Sequence, residues 1–173
     1  MKKVLILIAL FSYSANSLAE IDDEETNILD SALPIKTIDA YLTGKSLGLE
    51  QVAEINNFPS PRRVLELRRE LFLDEAQINR SLMLIKLMRK YSIKAGREIV
   101  QKERKLYALF SEKVTDLSTV KQLVADIAEL QGKIRFAYLK AHIAQNSFLN
   151  ENQKSVYASY KKERQAIQFA LDE

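Results

Sequence analysis

Residues 74–114 contain no proline, and apolar side chains recur through them at helical spacing. The apolar positions are Ile78, Leu82, Ile85, Met88, Ala95, Ile99, Leu106 and Phe110. This pattern predicts one helix of about 38 residues, which is about 57 Å long at 1.5 Å per residue. A domain of this size is too small to bury a helix of that length. The helix must therefore lie along a partner, either its own returning helix or a second subunit.

The sequence after this helix predicts the returning helix. Thr115-Asp116-Leu117-Ser118 has the composition of a turn, and Asp116 or Ser118 would cap a helix whose apolar positions continue to Ala141. Before the long helix, Ser60-Pro61 starts a short one, with serine as the cap and proline at the first helical position. No alternating strand pattern occurs. We therefore expect an all-α fold, an elongated helical hairpin of about four helices with a short helix at each end.

The first 19 residues have the features of a bacterial signal peptide. Lys2 and Lys3 precede an apolar run, Val4 to Phe11, that is too short to cross a bilayer, and Ser17-Leu18-Ala19 supplies small residues for cleavage before Glu20. No later apolar run is long enough for a membrane span. We expect a periplasmic protein, and because the chain has no cysteine, its fold must depend on helix packing or dimerisation without disulfides.

The exported chain divides into an acidic arm and a basic body. Residues 20–30 carry six acidic residues and no basic one, whereas residues 31–173 carry 24 basic and 17 acidic residues. All three prolines and two of the four glycines fall before residue 62. These features predict a loosely structured arm over 20–58, with short helical turns at 39–42 and 49–55, and a helical hairpin domain over 59–173. The acidic start is a solvated tail, a cover for a basic surface, or a docking segment for a partner.

Two five-residue segments, 76 positions apart, start helices in the same way. They read Leu73-Asp74-Glu75-Ala76-Gln77 and Leu149-Asn150-Glu151-Asn152-Gln153. In each, Asp or Asn accepts hydrogen bonds from free backbone N–H groups, and the Gln three positions later reaches back to the cap, which makes a capping box. The two segments resemble the LTxxQ signature of the Spy/CpxP family of periplasmic proteins, with Asp74 and Asn150 where the signature has Thr.

A second block looks like the related heavy-metal-resistance proteins. It comprises Gly96-Arg97-Glu98, Glu103 to Phe110, and the stretch from Arg135 through His142 that precedes the second motif. The likeness covers about 59–165. It implies a homodimer of bent hairpins, antiparallel and shaped like a cradle, with a basic concave face. Members of the family act as ATP-independent chaperones, as partners of an envelope-stress sensor kinase, or as metal-responsive accessory proteins.

The basic body carries the candidate binding surface. Residues 60–113 have 14 basic and seven acidic side chains. A solvated helix surface is the plain interpretation, but apolar residues lie among the cations. Such a face can bind unfolded or acidic polypeptide, because charge steers the encounter over long range and apolar contact retains the client. The candidate residues are Arg62, Arg69, Arg89, Lys90, Lys94 and Arg97 for charge, and Leu84, Leu87 and Ile93 for apolar contact.

Glu103 lies in the apolar register of the long helix, four residues after Ile99 and three before Leu106. Burying a carboxylate without a partner is costly. Arg135 on the returning helix is the natural partner, so we expect an ion pair across the hairpin. The alternative is that Glu103 ligates a metal.

His142 is the only histidine of the chain. It could ligate Zn²⁺, Ni²⁺ or Cu²⁺ together with Glu103, or with the same residue of a second subunit. A metal site needs three or more ligands, usually at helical spacing, whereas position 146 is Asn and cysteine is absent. We therefore expect a packed or capping histidine and no cofactor, and keep a metal-sensing or metal-resistance accessory protein as the alternative function.

Catalytic patterns are missing from the sequence. It has no cysteine, no second histidine, no Gly-rich phosphate loop and no HExxH. Nucleic acid would suit the basic charge, but export removes it from the expected partners. The sequence therefore predicts a non-enzymatic periplasmic protein, a Spy/CpxP-like ATP-independent chaperone or envelope-stress adaptor. Its expected partners are a second copy, unfolded envelope proteins, or the periplasmic domain of a sensor kinase.

Overall fold

The structure is a computed structural model that describes residues 33–114 and 116–172, except for the side chains of residues 165 and 167–172. The predicted signal peptide and the acidic residues 20–32 lie outside the described residues. The helices are α1 (Ile35–Thr43), α2 (Gln51–Ile55), α3 (Pro61–Glu66), α4 (Glu75–Ser111), α5 (Leu117–Ser147) and α6 (Glu151–Asp172). The described residues contain no strand, and none of their helices is long and apolar enough to cross a membrane. The predicted all-α class is confirmed.

The predicted hairpin is formed by α4, with 37 residues, and α5, with 31. Its core joins Ala95, Ile99 and Val100 of α4 to a row of apolar side chains on α5. That row is Ile127, Leu130, Ile134 and Tyr138. Leu82 and Phe110 were expected in the same stripe but are 52% and 58% exposed. Leu82 is turned about 100° around the helix from Ile99, and Phe110 lies at the tip of the hairpin, so α5 does not cover them.

Side-chain caps fix where the two long helices begin. The Asp74 carboxylate accepts from the Gln77 N–H at 2.7 Å, and the Gln77 Oε1 accepts from the Asp74 N–H at 3.2 Å, which completes the predicted capping box. Asp116, rather than Ser118, caps α5. Its carboxylate accepts from the hydroxyl and the N–H of Thr119 and from the Ser118 N–H, and these bonds hold the pKa of Asp116 below its ordinary value.

The glutamines of the two repeated segments bond to each other. Gln77 Nε2 donates to Gln153 Oε1, and Gln153 Nε2 donates to Gln77 Oε1, both at 2.9 Å. Each Nε2 also donates to a backbone carbonyl, that of Phe148 at 2.9 Å and that of Leu71 at 3.0 Å. With the capping bonds to Asp74 and Asn150, both donors and both lone pairs of each amide are used. The pair fastens the start of α4 to the start of α6.

Residues 33–58 form α1 and α2, where the sequence predicted short helical turns at 39–42 and 49–55, and they pack on the hairpin. Tyr41 is 6% exposed within the main core, and its hydroxyl accepts from Gln131 Nε2 at 3.1 Å. Gly96 of α4 permits this packing, since a Cβ there would lie 2.2 Å from the Tyr41 carbonyl oxygen. The order of this segment depends on a close approach of two backbones, which the apolar spacing of the arm does not encode.

A second set of contacts ties α2 to α6. The Tyr157 hydroxyl donates to Glu54 Oε2 at 2.9 Å, and Lys161 Nζ donates to the carbonyl of Ile55 at 3.1 Å and to Asn57 Oδ1 at 3.2 Å. Burial, followed by the charge of Glu54, raises the pKa of Tyr157 well above its ordinary value. The arm is therefore held at both ends, by Gly96 on α4 and by the polar side chains of α6.

Candidate functional site

The side of α4 that faces away from α5 is the candidate binding surface. Residues spaced three and four apart share one helix face. On this face lie Lys90, Lys94 and Arg97, all exposed, followed towards the start of the helix by Leu87 and Met83, which are 45% and 60% exposed. We call these five residues the α4 face. It places three cations and two apolar side chains in one row on a rigid helix.

A shallow groove runs along part of the α4 face. Its volume is about 430 Å³, and its lining includes Lys90, Ile93, Lys94 and Arg97, with Glu98 and Gln101. None of the three cations forms an ion pair with a described residue. Their charges are therefore available to an incoming anionic group without the loss of an internal contact.

The other predicted client-binding residues do not join this groove. Arg62 and Arg89 line a second cavity, of about 280 Å³, enclosed by the arm, α3, α4 and α5. Arg69 is exposed in the turn between α3 and α4, and Leu84 is half-buried. The basic surface predicted as one face is thus divided into the α4 face, the second cavity and an isolated arginine.

The second cavity has a buried polar wall. Tyr138 is 4% exposed, and its hydroxyl donates to the Gly44 carbonyl at 2.8 Å. Burial and the charge of Glu50 raise the pKa of Tyr138, while Arg89 and Arg62 oppose that rise. Arg62, Arg89 and Glu50 line the same cavity as Tyr138.

His142 is a packed histidine. It is 1% exposed, with Nδ1 2.8 Å from the Phe58 carbonyl oxygen and 4.0 Å from Glu54 Oε1. Because a carbonyl oxygen can only accept, Nδ1 carries the proton and donates it. Among the residues described, no group of three or more His, Cys, Asp or Glu side chains could hold a metal ion.

The predicted partners of Glu103 lie elsewhere along the hairpin. The Lys102–Asp126 ion pair, at 2.6 Å, shows the register of α4 against α5. In this register Arg135 lies opposite residue 93, about 15 Å along the axis from Glu103, and His142 lies about 26 Å away. Within the described chain the Glu103–Arg135 ion pair does not form, and Glu103 and His142 cannot share a metal. Partial burial raises the pKa of Glu103.

The sequence prediction missed two exposed residues beside the cations, Met83 and Tyr91. Tyr91 is 62% exposed. Both lie four positions from Leu87, so helical spacing from that residue would have found them. Glu50 of the second cavity carried no such signal, because only the folding of the arm onto the hairpin brings it near Tyr138.

Comparison with family models, with curated proteins and with solved structures finds no match for this chain. The resemblance to Spy/CpxP proteins therefore depends on the two repeated segments and the second sequence block. The assignment stays a prediction.

Proposed function

We propose that this protein is a periplasmic, ATP-independent chaperone or envelope-stress adaptor of the Spy/CpxP type, which binds unfolded or acidic polypeptide on the α4 face. The observation that carries the proposal is the row of three cations without ion-pair partners among the described residues, next to exposed Leu87 and Met83. The predicted signal peptide, the absence of cysteine and the two capping-box segments support the proposed location and family.

The chemistry of the α4 face favours loose binding. Each exposed charge contact contributes about 0.2–1 kcal/mol, and covering the exposed parts of Leu87 and Met83 adds about 1–2 kcal/mol each. Their sum is comparable to or smaller than the entropic cost of association, about 4 kcal/mol or more. A single face therefore holds a client weakly and exchanges it rapidly, which allows release without nucleotide. A second copy that presents the same face would strengthen the contact through multivalency.

The same surface also suits a regulatory partner. The periplasmic domain of a sensor kinase could bind to it through an acidic patch, in competition with unfolded clients. In that case occupation of the α4 face by clients would release the kinase, so one surface would serve as both chaperone and sensor.

Three substitutions on the α4 face test the proposal. Lys90→Gln, Lys94→Gln and Arg97→Gln, made together, remove its cations while leaving the core untouched. The matched control makes Lys121→Gln, Arg135→Gln and Lys140→Gln together, three exposed residues of α5. The wild type and the control should suppress aggregation of an unrelated denatured protein at equimolar concentration, and the α4 variant should not.

Salt supplies the second arm of this test. Because charge steers the encounter, association of a labelled unfolded polypeptide with the wild type should slow as ionic strength rises, and the α4 variant should show a smaller salt dependence. Equal protection by the α4 variant and the wild type, or no protection by the wild type at any salt concentration, would refute the proposed function.

A further inference from the structure

The second cavity combines a cationic rim with an apolar floor. The exposed Arg62 and Arg89 form the rim, and Ile85, Met88 and the ring of Tyr138 contribute apolar surface to the floor, beside the buried imidazole of His142. Its volume of about 280 Å³ is at the small end for ligand sites and suits one or two amino-acid residues. We infer that this cavity binds the C-terminal residue of an extended polypeptide, with the α-carboxylate between the two arginines and an apolar side chain on the floor. The inference rests on the proposed function, because it assigns a separate subsite to the client.

Both arginines are available to a carboxylate. Neither forms an ion pair with a described residue, and Arg89 is oriented by a hydrogen bond from its Nη2 to the Thr43 carbonyl at 3.3 Å. A guanidinium binds a carboxylate through two parallel hydrogen bonds, a geometry that a lysine ammonium does not offer. The cavity can therefore distinguish a free C-terminus from an amide.

The charge of the lining favours a monoanion. Lys45 also lines the cavity but is paired with Asp39 at 2.6 Å. The Glu50 carboxylate accepts a hydrogen bond from the Ser46 hydroxyl through Oε1, and its Oε2 is buried without a hydrogen-bond partner among the described residues. With His142 counted as neutral, the charge of Glu50 offsets that of one arginine. One net positive charge remains, which a single carboxylate neutralises and a phosphate dianion exceeds. The apolar floor favours a ligand with an apolar group to cover it, which inorganic anions do not have.

The position of the cavity relates it to the α4 face. Arg89 lines the cavity, and its neighbour Lys90 lines the groove on the α4 face, so the two sites lie at the same height on α4, about 100° apart around the helix. An extended chain held by the α4 face would have to bend around the helix at Arg89 to end in the cavity. Clients with an apolar C-terminal residue and a free carboxylate would gain an anchor that internal segments lack.

Methionine methyl groups report binding at this site directly. The chain has three methionines, and of the two in the helical body Met88 lines the cavity whereas Met83 is exposed on the α4 face. The full protein, labelled with ¹³C at the methionine methyl groups, would be titrated by NMR with N-acetyl-Leu-Leu carrying a free carboxylate. The same titration would use its C-terminal amide and hexanoate.

The free acid should shift the Met88 resonance and leave that of Met83 unchanged. The amide should bind at least about tenfold more weakly, because it loses one charge-assisted contact. Arg62→Gln combined with Arg89→Gln should weaken the acid to a similar degree, and Lys121→Gln combined with Lys140→Gln, two exposed residues of α5, should not. Both arginines are exposed, so their replacement leaves the core intact, and a thermal melt would confirm it.

Equal binding of acid and amide, parallel shifts of both methionines, or no Met88 shift at millimolar acid would overturn the inference. If hexanoate binds more tightly than the dipeptide, the ligand of the cavity is a free small carboxylate and not the C-terminus of a polypeptide. Specific binding of the acid by a protein that fails the aggregation assay would refute the proposed chaperone function and not the carboxylate site. Undiminished protection and acid binding in the arginine variant would refute the site alone.

Discussion

Replacing Gln153 by alanine tests the linkage between the two repeated segments. Gln153 is 5% exposed and its amide bonds to the Leu71 carbonyl, to the Gln77 amide and to the Asn150 N–H. Each lost bond costs about 0.5–1.5 kcal/mol, and a buried partner left unsatisfied costs more. We therefore expect Gln153→Ala to lower the free energy of unfolding by about 2–4 kcal/mol. In a domain of this size that loss lowers Tm by roughly 6–14 °C.

Urea denaturation followed by circular dichroism would measure this loss. Gln101→Ala, an exposed residue of α4, is the matched control and should change the free energy by less than about 0.5 kcal/mol. The double variant of Gln77 and Gln153 should lose less than the sum of the single variants, because each single change already breaks the shared pair of bonds. A Gln153→Ala variant as stable as the Gln101→Ala control, or strict additivity, would show that the amide pair does not hold the two helix starts together.

Three further predictions concern packing, backbone and pH. Gly96→Ala should destabilise the fold by about 1–3 kcal/mol and raise amide exchange in α1, because its Cβ would clash with the Tyr41 backbone at 2.2 Å; normal protection of α1 would contradict the assigned contact. Phe72 has φ 48° and is 87% exposed, so Phe72→Gly should raise the free energy of unfolding by about 0.5–1 kcal/mol, whereas Phe72→Ala should not. Burial raises the pKa of Glu103, which makes its charged form unfavourable in the folded state. Glu103→Gln should therefore raise the free energy of unfolding at pH 7, and this gain should shrink as the pH falls through the pKa of Glu103. A gain in stability that does not change with pH would contradict this sign.

The long helices could be predicted from the sequence because their causes are local. Helical spacing of apolar residues and the Asp74 and Asn150 caps identify α4 and α6 from neighbouring residues alone. The contact between Gly96 and Tyr41 joins residues far apart in sequence. Nothing in the sequence of the arm indicates that it packs against a glycine of α4. The helical turns of residues 33–58 could be predicted from the arm, and their packing on the hairpin could not.

The site was predictable to the extent that one helix forms it. Lys90, Lys94 and Arg97 lie together because spacings of three and four fix a face of α4. The predicted Glu103–Arg135 ion pair does not form within the described chain, because the register of the hairpin, which the sequence left open and the Lys102–Asp126 pair marks, places the two residues apart. The second cavity required the folding of the arm and α3 onto the hairpin, so Arg62 and Arg89 could be named as basic residues but not placed.

Site-specific photo-crosslinking tests most directly whether the α4 face holds polypeptide. A photoreactive amino acid would replace Leu87, on the α4 face, or Phe136, which is 67% exposed on α5 and serves as the control. With a reduced polypeptide that cannot refold, we predict crosslinks from position 87 that weaken with salt and few from position 136. Crosslinks of equal yield from both positions, or from position 136 alone, would contradict the proposed binding surface.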